Sequence, residues 1–260
     1  MRNLKITVIQ TDLSWEDSQR NLAGIGEKLQ GLGEETHLII LPEMFATGFS
    51  MNAASIAQDM QGPAVAWLLE QAEKSKADIA GSLAVREKGR FFNRLIWVRP
   101  SGDILTYDKK HLFRYAGEEK VYTAGDRLLT VELNGWRIRP FICYDLRFPC
   151  WCRNWNKAYD LAVYVANWPA KRAAHWKALL PARAIENQCY VAGVNRVGTD
   201  GNGMTYSGDS AVIDPLGTTL FQKSSLESVQ TVELSLALLR EYRQHFPAWM
   251  DADDPAPAAT

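Results

Sequence analysis

Three short apolar runs constrain this chain more than any other feature: Leu38-Ile-Ile-Leu41, Pro140-Phe-Ile-Cys143 and Leu161-Ala-Val-Tyr-Val-Ala166. Each has the length of a strand rather than a helix and lacks the polar alternation of a strand with one wet face. Each therefore reads as a strand covered on both sides. Between and around them lie segments with apolar residues at helical spacing. One carries Leu22, Ile25, Leu29 and Leu32 and is ended by Gly31 and Gly33; another carries Val65, Leu68, Leu69 and Ala72 behind Gly62-Pro63, with Pro63 suited to the first helical position. Further strands are expected at 4–9, 78–85, 93–98, 104–107, 136–144, 211–214, 218–221 and 229–234. Helices are expected at 148–156, at 172–188, where Pro181 should kink or divide the helix, and from the Ser235 cap to about His245. Strand and helix alternate throughout, which is the pattern of the α/β class.

A length of 260 residues with no Pro/Gly/Ser linker and no internal period suggests one domain over 1–250, followed by a tail, 251–260, with nothing to pack. With 29 Lys plus Arg against 30 Asp plus Glu, the chain has no single-sign field to recruit nucleic acid or an anionic membrane. None of its apolar runs approaches the roughly 20 residues that cross a bilayer. The first residues lack the apolar centre of a secretion signal, so a cytoplasmic location is expected. Four cysteines are too few for a disulfide framework and would be kept reduced there.

The buried strands deliver polar groups at their carboxyl ends: Glu43 after Leu-Pro42, Cys143 itself, and Asn167 after Ala166. In open α/β sheets that edge is where ligands bind. Lys109, in Tyr107-Asp-Lys-Lys-His111, follows another strand and is placed to join them. Taken alone, each has an ordinary reading: Glu43 as a loop residue or helix cap, Lys109 with Lys110 as a surface pair, Cys143 as a small buried hydrophobe. Together they are a carboxylate, an ammonium and a thiol. If a helix starts soon after Cys143, backbone N–H groups would favour its thiolate. A free thiol has a pKa near about 8.5, so a nucleophilic cysteine needs a base or cation close by. Glu43 and Lys109 would supply both.

Leu-Pro-Glu43-Met-Phe, Tyr-Asp-Lys109-Lys-His-Leu-Phe and Ile-Cys143-Tyr-Asp-Leu-Arg-Phe-Pro, roughly 65 and 35 residues apart, resemble the three catalytic blocks of the nitrilase (carbon-nitrogen hydrolase) superfamily. The Cys-Tyr-Asp-x-Arg-Phe-Pro form is similar to the omega-amidase branch, as are Ala-Asn-Trp-Pro169 and Ala-Arg-Ala-Ile-Glu-Asn-Gln188. The resemblance implies a four-layer αββα sandwich that pairs through helices into a homodimer, with no cofactor and no metal. It implies Cys143 as nucleophile, Glu43 as general base and then acid, and Lys109 with the Tyr144 N–H as the oxyanion donors. A second glutamate is implied seven residues before a glycine; counting from Gly125 gives Glu118, with Glu119 the alternative, and Ala124 stands where the family commonly has Pro. The implied activity is hydrolysis of the terminal amide of a dicarboxylic monoamide such as 2-oxoglutaramate, through a thioester.

Such a substrate needs a cation for its far carboxylate. Arg147 and Arg172 are the candidates because a guanidinium grips carboxylate in a fork; the alternative is that each pairs with an acid such as Asp145 or Glu186. Phe45, Tyr144 and Trp168 are candidates for the pocket wall. Four other readings compete: a Cys/His hydrolase using His111 or His175 as base, a metal or redox module on Cys143, Cys150 and Cys152, a catalytically silent binding homologue, and a carbamoylase or other small-amide hydrolase of the same superfamily. The first predicts that losing a histidine abolishes turnover while Glu43→Gln is mild.

Overall fold

In the computed structural model, which describes residues 3–33 and 35–252, strand β1 (Leu4–Gln10) leads into helix α1 (Ser18–Gln30) and strand β2 (Leu38–Ile40). Next come α2 (Ala53–Ile56), α3 (Pro63–Ser75) and three strands, β3 (Asp78–Glu87), β4 (Arg90–Val98) and β5 (Ile104–Asp108). The second half holds β6 (Val131–Leu133), β7 (Trp136–Ile142), α4 (Pro149–Cys152), β8 (Leu161–Ala166), α5 (Ala173–Asn187) and β9 (Tyr190–Asn195). It closes with β10 (Val197–Thr199), β11 (Thr205–Ile213), β12 (Thr219–Ser224), β13 (Ser228–Leu234) and α6 (Leu236–His245).

The strands form two mixed sheets. The first has the order β13-β1-β2-β3-β4-β5 and the second β10-β11-β9-β8-β7-β6, with β12 beside β11. β1, β2 and β3 run parallel, as do β7, β8 and β9, so each sheet has a parallel centre with antiparallel flanks. Side-chain alternation sorts the first sheet into two cores. Leu4, Ile6, Val8, Leu38, Ile40, Leu95 and Trp97 face the second sheet, whereas Ile9, Ile39, Leu41, Ile79, Ile96 and Val98 pack on α1 and α3 through Ile25, Leu29, Val65, Leu68 and Ala72. Helix α5 covers the outer face of the second sheet with Trp176, Leu180 and Ala184. The result is the expected α/β sandwich of layers α, β, β, α.

Three features differ from the reading of the sequence. In place of a helix at 148–156 stand the four-residue α4 and a 3-10 turn (Trp155–Lys157): Arg153 turns extended, ψ 134°, and the Asn154 side chain bonds the Tyr159 and Asn187 carbonyls. Helix α5 runs undivided through Pro181. The carbonyl one turn before the proline belongs to Lys177, an exposed residue, so water can take the bond that Pro181 lacks. β6, β9 and β10 had no clear signature. β9 in particular follows α5 without Gly or Pro, since Gln188 itself takes the left-handed conformation, φ 44°, that ends the helix. The expected tail falls outside the described residues from residue 253 onward.

Close approach of α5 to β9 occurs at Gly193, where a Cβ would lie 2.6 Å from Leu180 Cδ1 and 2.8 Å from the Trp176 ring. Trp176 is fully buried and its Nε1–H donates to the Asp209 carbonyl at 2.8 Å. Trp176→Ala is therefore expected to destabilise the fold by about 3–5 kcal/mol, read as a lower urea midpoint. A change under about 1 kcal/mol would contradict this packing.

Candidate active site

The carboxyl ends of β2, β5, β7 and β8 open onto one cavity of about 540 Å³, and Glu43, Lys109, Cys143 and Asn167 all line it. Two of these ends are sharply turned. Met44 and Cys143 both hold φ at 43°, a conformation that costs a non-glycine residue and is kept only where its surroundings impose it. At Cys143 the constraint is visible. Asp145, two residues on and fully buried, accepts the Ile142 N–H at 3.1 Å and the Tyr107 hydroxyl at 2.7 Å through Oδ2, and the His111 N–H at 3.0 Å through Oδ1. One carboxylate thus ties the end of β7 to the segment that carries Lys109.

Lys109 is buried, and its Nζ donates to Glu43 Oε1 at 2.8 Å and to both oxygens of Glu118 at 3.0 Å. Asn93 Nδ2 bridges the same two carboxylates, 2.8 Å from Glu43 Oε1 and 3.2 Å from Glu118 Oε1, while its own oxygen accepts from Ser82 Oγ. Glu43 Oε2 accepts the Asn167 N–H at 2.8 Å, and the Cys143 thiol lies within the electrostatic reach of Glu43, Lys109 and Glu118. Glu118 Oε2 also accepts the Phe113 N–H at 2.6 Å.

Burial acts against the charged form of Lys109, but Glu118 and then Glu43 outweigh it and hold the ammonium protonated well above the ordinary lysine range. Burial raises the Glu118 carboxyl, with Lys109 opposing and Glu43 reinforcing. Burial also pushes the Cys143 thiol well above its ordinary range, aided by Glu43 and only partly opposed by Lys109. The expectation that nearby N–H groups favour a resting thiolate is corrected here: at this depth desolvation outweighs them, and the resting group is a thiol beside a carboxylate.

Other expected residues separate into two groups. Tyr144, Arg147, Trp168 and Arg172 line the cavity. Arg147 lies over the Trp168 ring at 4.7 Å and bonds His175 at 2.9 Å, and Arg172 lies over the Phe113 ring at 5.1 Å. Neither arginine forms an ion pair among the described residues: Asp145 is taken up as above, and Glu186 pairs with Arg183. Phe45 is not part of the wall. After the turn at Met44 its N–H bonds the Ser82 carbonyl and its ring enters the outer core, 6.1 Å from Trp67. Phe49 takes the wall position instead, 5.0 Å from Lys109 Nζ.

Of the two candidate glutamates, Glu118 faces Lys109, and Glu119 makes no bond to it. Neither His111 nor His175 lines the cavity; His111 stacks on Phe148 at 3.7 Å and bonds Asp145 through Nδ1. Cys150 is exposed, Cys152 is buried against the Asp145 carbonyl, and all four cysteines are free. Among the described residues no group of three or more His, Cys, Asp or Glu side chains is placed to hold a metal. Sequence reasoning missed Asn93, Ser82 and Asp145, and the far wall built by Trp15, Glu16, Asn202 and Tyr206. Asn93 and Ser82 did leave a signal, because each is a polar residue in the inward register that Leu95, Trp97 and Ala80 occupy.

The chain matches the carbon-nitrogen hydrolase family over residues 5–244. It is 51% identical over 257 residues to the omega-amidase YafV of Escherichia coli, covering 98% of each chain. It is 33% identical over 250 residues to a 2-oxoglutaramate amidase of Bacillus subtilis, covering 95% of this chain and 96% of that one. Among solved structures, XC1258 from Xanthomonas campestris, a CN-hydrolase superfamily protein with an arsenic adduct in its active site, superposes with a TM-score of 0.96 at 48% identity over 98% of both chains.

The two neighbouring glutamates separate by experiment. Glu118→Gln removes a charge from a buried ion pair and is expected to lower kcat/KM at least about 100-fold, whereas Glu119→Gln leaves it within a few-fold. Steady-state ammonia release checks this, and equal losses in both variants would contradict the geometry.

Proposed function

The chain belongs to the carbon-nitrogen hydrolase family, and on that premise we propose that it is an omega-amidase, hydrolysing the terminal amide of a dicarboxylic acid monoamide such as 2-oxoglutaramate to the dicarboxylate and ammonia. The observation that carries this reading is a single cavity lined by buried Cys143, Glu43 and Lys109 and by two arginines without carboxylate partners among the described residues.

An amide is a poor electrophile with a poor leaving group, so attack, protonation of the nitrogen and stabilisation of the oxyanion must be provided together. Cys143 Sγ attacks the amide carbon as its proton passes to Glu43. The C–S bond forms, and the carbonyl electron pair moves to oxygen, where Lys109 Nζ and the Tyr144 N–H receive the negative charge. A thiol that rests protonated can still react by this route, because Glu43 takes the proton as Sγ attacks. The C–N bond then breaks as Glu43 returns the proton to nitrogen, and ammonia leaves a thioester. Water, giving a proton to Glu43, adds to the thioester, and the acid departs as Cys143 recovers its proton. Glu118 and Asn93 hold Lys109 and Glu43 in place throughout. Arg147 and Arg172 bind the substrate's free carboxylate, while Tyr144 and Trp168 wall its carbon chain.

We place the enzyme in the cytoplasm as a homodimer. All four cysteines are free, as a reducing compartment keeps them, and no helix among the described residues is long and apolar enough to cross a membrane. On α5, Trp176 and Leu180 are used internally, but Ile185, against Gly217, is 52% exposed, and we assign the meeting of two copies to this apolar surface. Light scattering at micromolar concentration is expected to give twice the mass of one chain.

Ammonia release should be fastest with monoamides of four- and five-carbon dicarboxylates, and should vanish in Cys143→Ala. Arg147→Ala or Arg172→Ala is expected to raise KM for 2-oxoglutaramate about tenfold or more. Equal rates on propionamide and 2-oxoglutaramate, with KM unmoved in both variants, would remove the carboxylate pocket.

A further inference from the structure

Asn167 is pinned on three sides. Its backbone N–H holds Glu43 Oε2 at 2.8 Å, and its side-chain Nδ2 donates to the Glu43 carbonyl. Its neighbour Trp168 is fixed to Asn195 by a pair of bonds, with the Trp168 N–H donating to Asn195 Oδ1 at 2.8 Å and Asn195 Nδ2 donating to the Trp168 carbonyl at 3.0 Å. Because a carbonyl oxygen can only accept, the group facing it must be the NH₂, and the orientation of the amide is settled. The remaining atom, Oδ1, is buried, and no group among the described residues donates to it. Asn167 is 4% exposed, yet it lines the cavity beside Glu43 and Cys143.

A buried acceptor left without a donor is costly and is uncommon in folded proteins. Here it belongs to a residue that lines the cavity and is bonded to Glu43, the carboxylate that must protonate a departing nitrogen. We propose that Asn167 Oδ1 accepts an N–H of the scissile amide, making Asn167 a catalytic residue that recognises the leaving group and orients it; this rests on the amidase reading above. In the tetrahedral intermediate the former amide nitrogen carries two hydrogens and a lone pair. Anchoring one hydrogen on Oδ1 turns the lone pair toward the proton on Glu43, so that the C–N bond breaks as the N–H bond forms and ammonia leaves. The same contact selects for substrates that have an N–H at this point. An ester oxygen offers no donor and leaves Oδ1 as unsatisfied as before.

The test compares a monoamide with the methyl ester of the same acid, in the wild type, Asn167→Ala and Asn167→Ser. Both variants also lose the Nδ2 bond to the Glu43 carbonyl; a displaced Glu43 would also slow hydrolysis of the thioester, the step common to both substrates, so a changed ratio of kcat/KM values with an unchanged thioester hydrolysis rate isolates the Oδ1 contact. The expected result is a fall in kcat/KM for the amide about 10- to 100-fold larger than for the ester. Asn167→Ser, which conserves more of the local polarity, should show the same ratio if Asn167→Ala folds poorly. Parallel losses on both substrates, in a variant whose circular dichroism matches the wild type, would overturn the assignment while leaving the amidase reading intact. A wild-type enzyme that releases no ammonia from any monoamide would overturn both.

Discussion

One buried ammonium, Lys109 Nζ, lies between two buried carboxylates, and the rest of the site is arranged around that contact. Removing three charged groups from water is expensive, and their mutual attraction offsets the penalty only where the geometry is close and the spare lone pairs are satisfied. Both conditions are met: Lys109 reaches both carboxylates at 2.8–3.0 Å, and Asn93, Asn167 and the Phe113 N–H take further oxygen sites. Burial, and after it the charge of Glu43, raises the neighbouring Cys143 thiol, so that the group rests protonated.

The cluster also explains why the fold needs two sheets. Glu43, Lys109 and Asn93 come from the first sheet or its ends, and Cys143 and Asn167 from the ends of β7 and β8 in the second. The Asn167 bonds to Glu43 cross from one sheet to the other, and Asp145 crosses between the β7 end and the Lys109 segment. Slippage of the sheets would separate Glu43 from Cys143. The apolar core between the sheets, from Leu4 and Trp97 to Phe141 and Val163, therefore holds the strand ends that carry these side chains in register.

Much of this was legible in the amino-acid order. An unbroken apolar strand that stops at a polar residue is a strong local signal, and it located Glu43, Cys143 and Asn167. The separation between Glu118 and Glu119 was not legible, because in a 3-10 turn adjacent side chains diverge by about a third of a revolution and no periodic pattern says which one faces inward. Phe45 was misplaced for a related reason: one left-handed residue, Met44, redirects everything after it, and nothing in Met-Phe-Ala announces that turn. Asn93 and Ser82 were visible only as polar interruptions of an inward register whose facing partners lie far away in sequence. The wall from Trp15 and Tyr206 is tertiary in origin, brought in by the loop after β1 and by the start of β11, which share no pattern with the strands that carry Glu43 and Cys143.

The central claim is that Cys143, rather than any other residue, carries the acyl group. The most direct measurement is mass spectrometry of peptides from enzyme quenched in acid while turning over 2-oxoglutaramate. The account predicts an acyl adduct, labile to hydroxylamine, confined to the peptide containing Cys143. An adduct on Cys150 or any other residue, or undiminished turnover by Cys143→Ser, would contradict it.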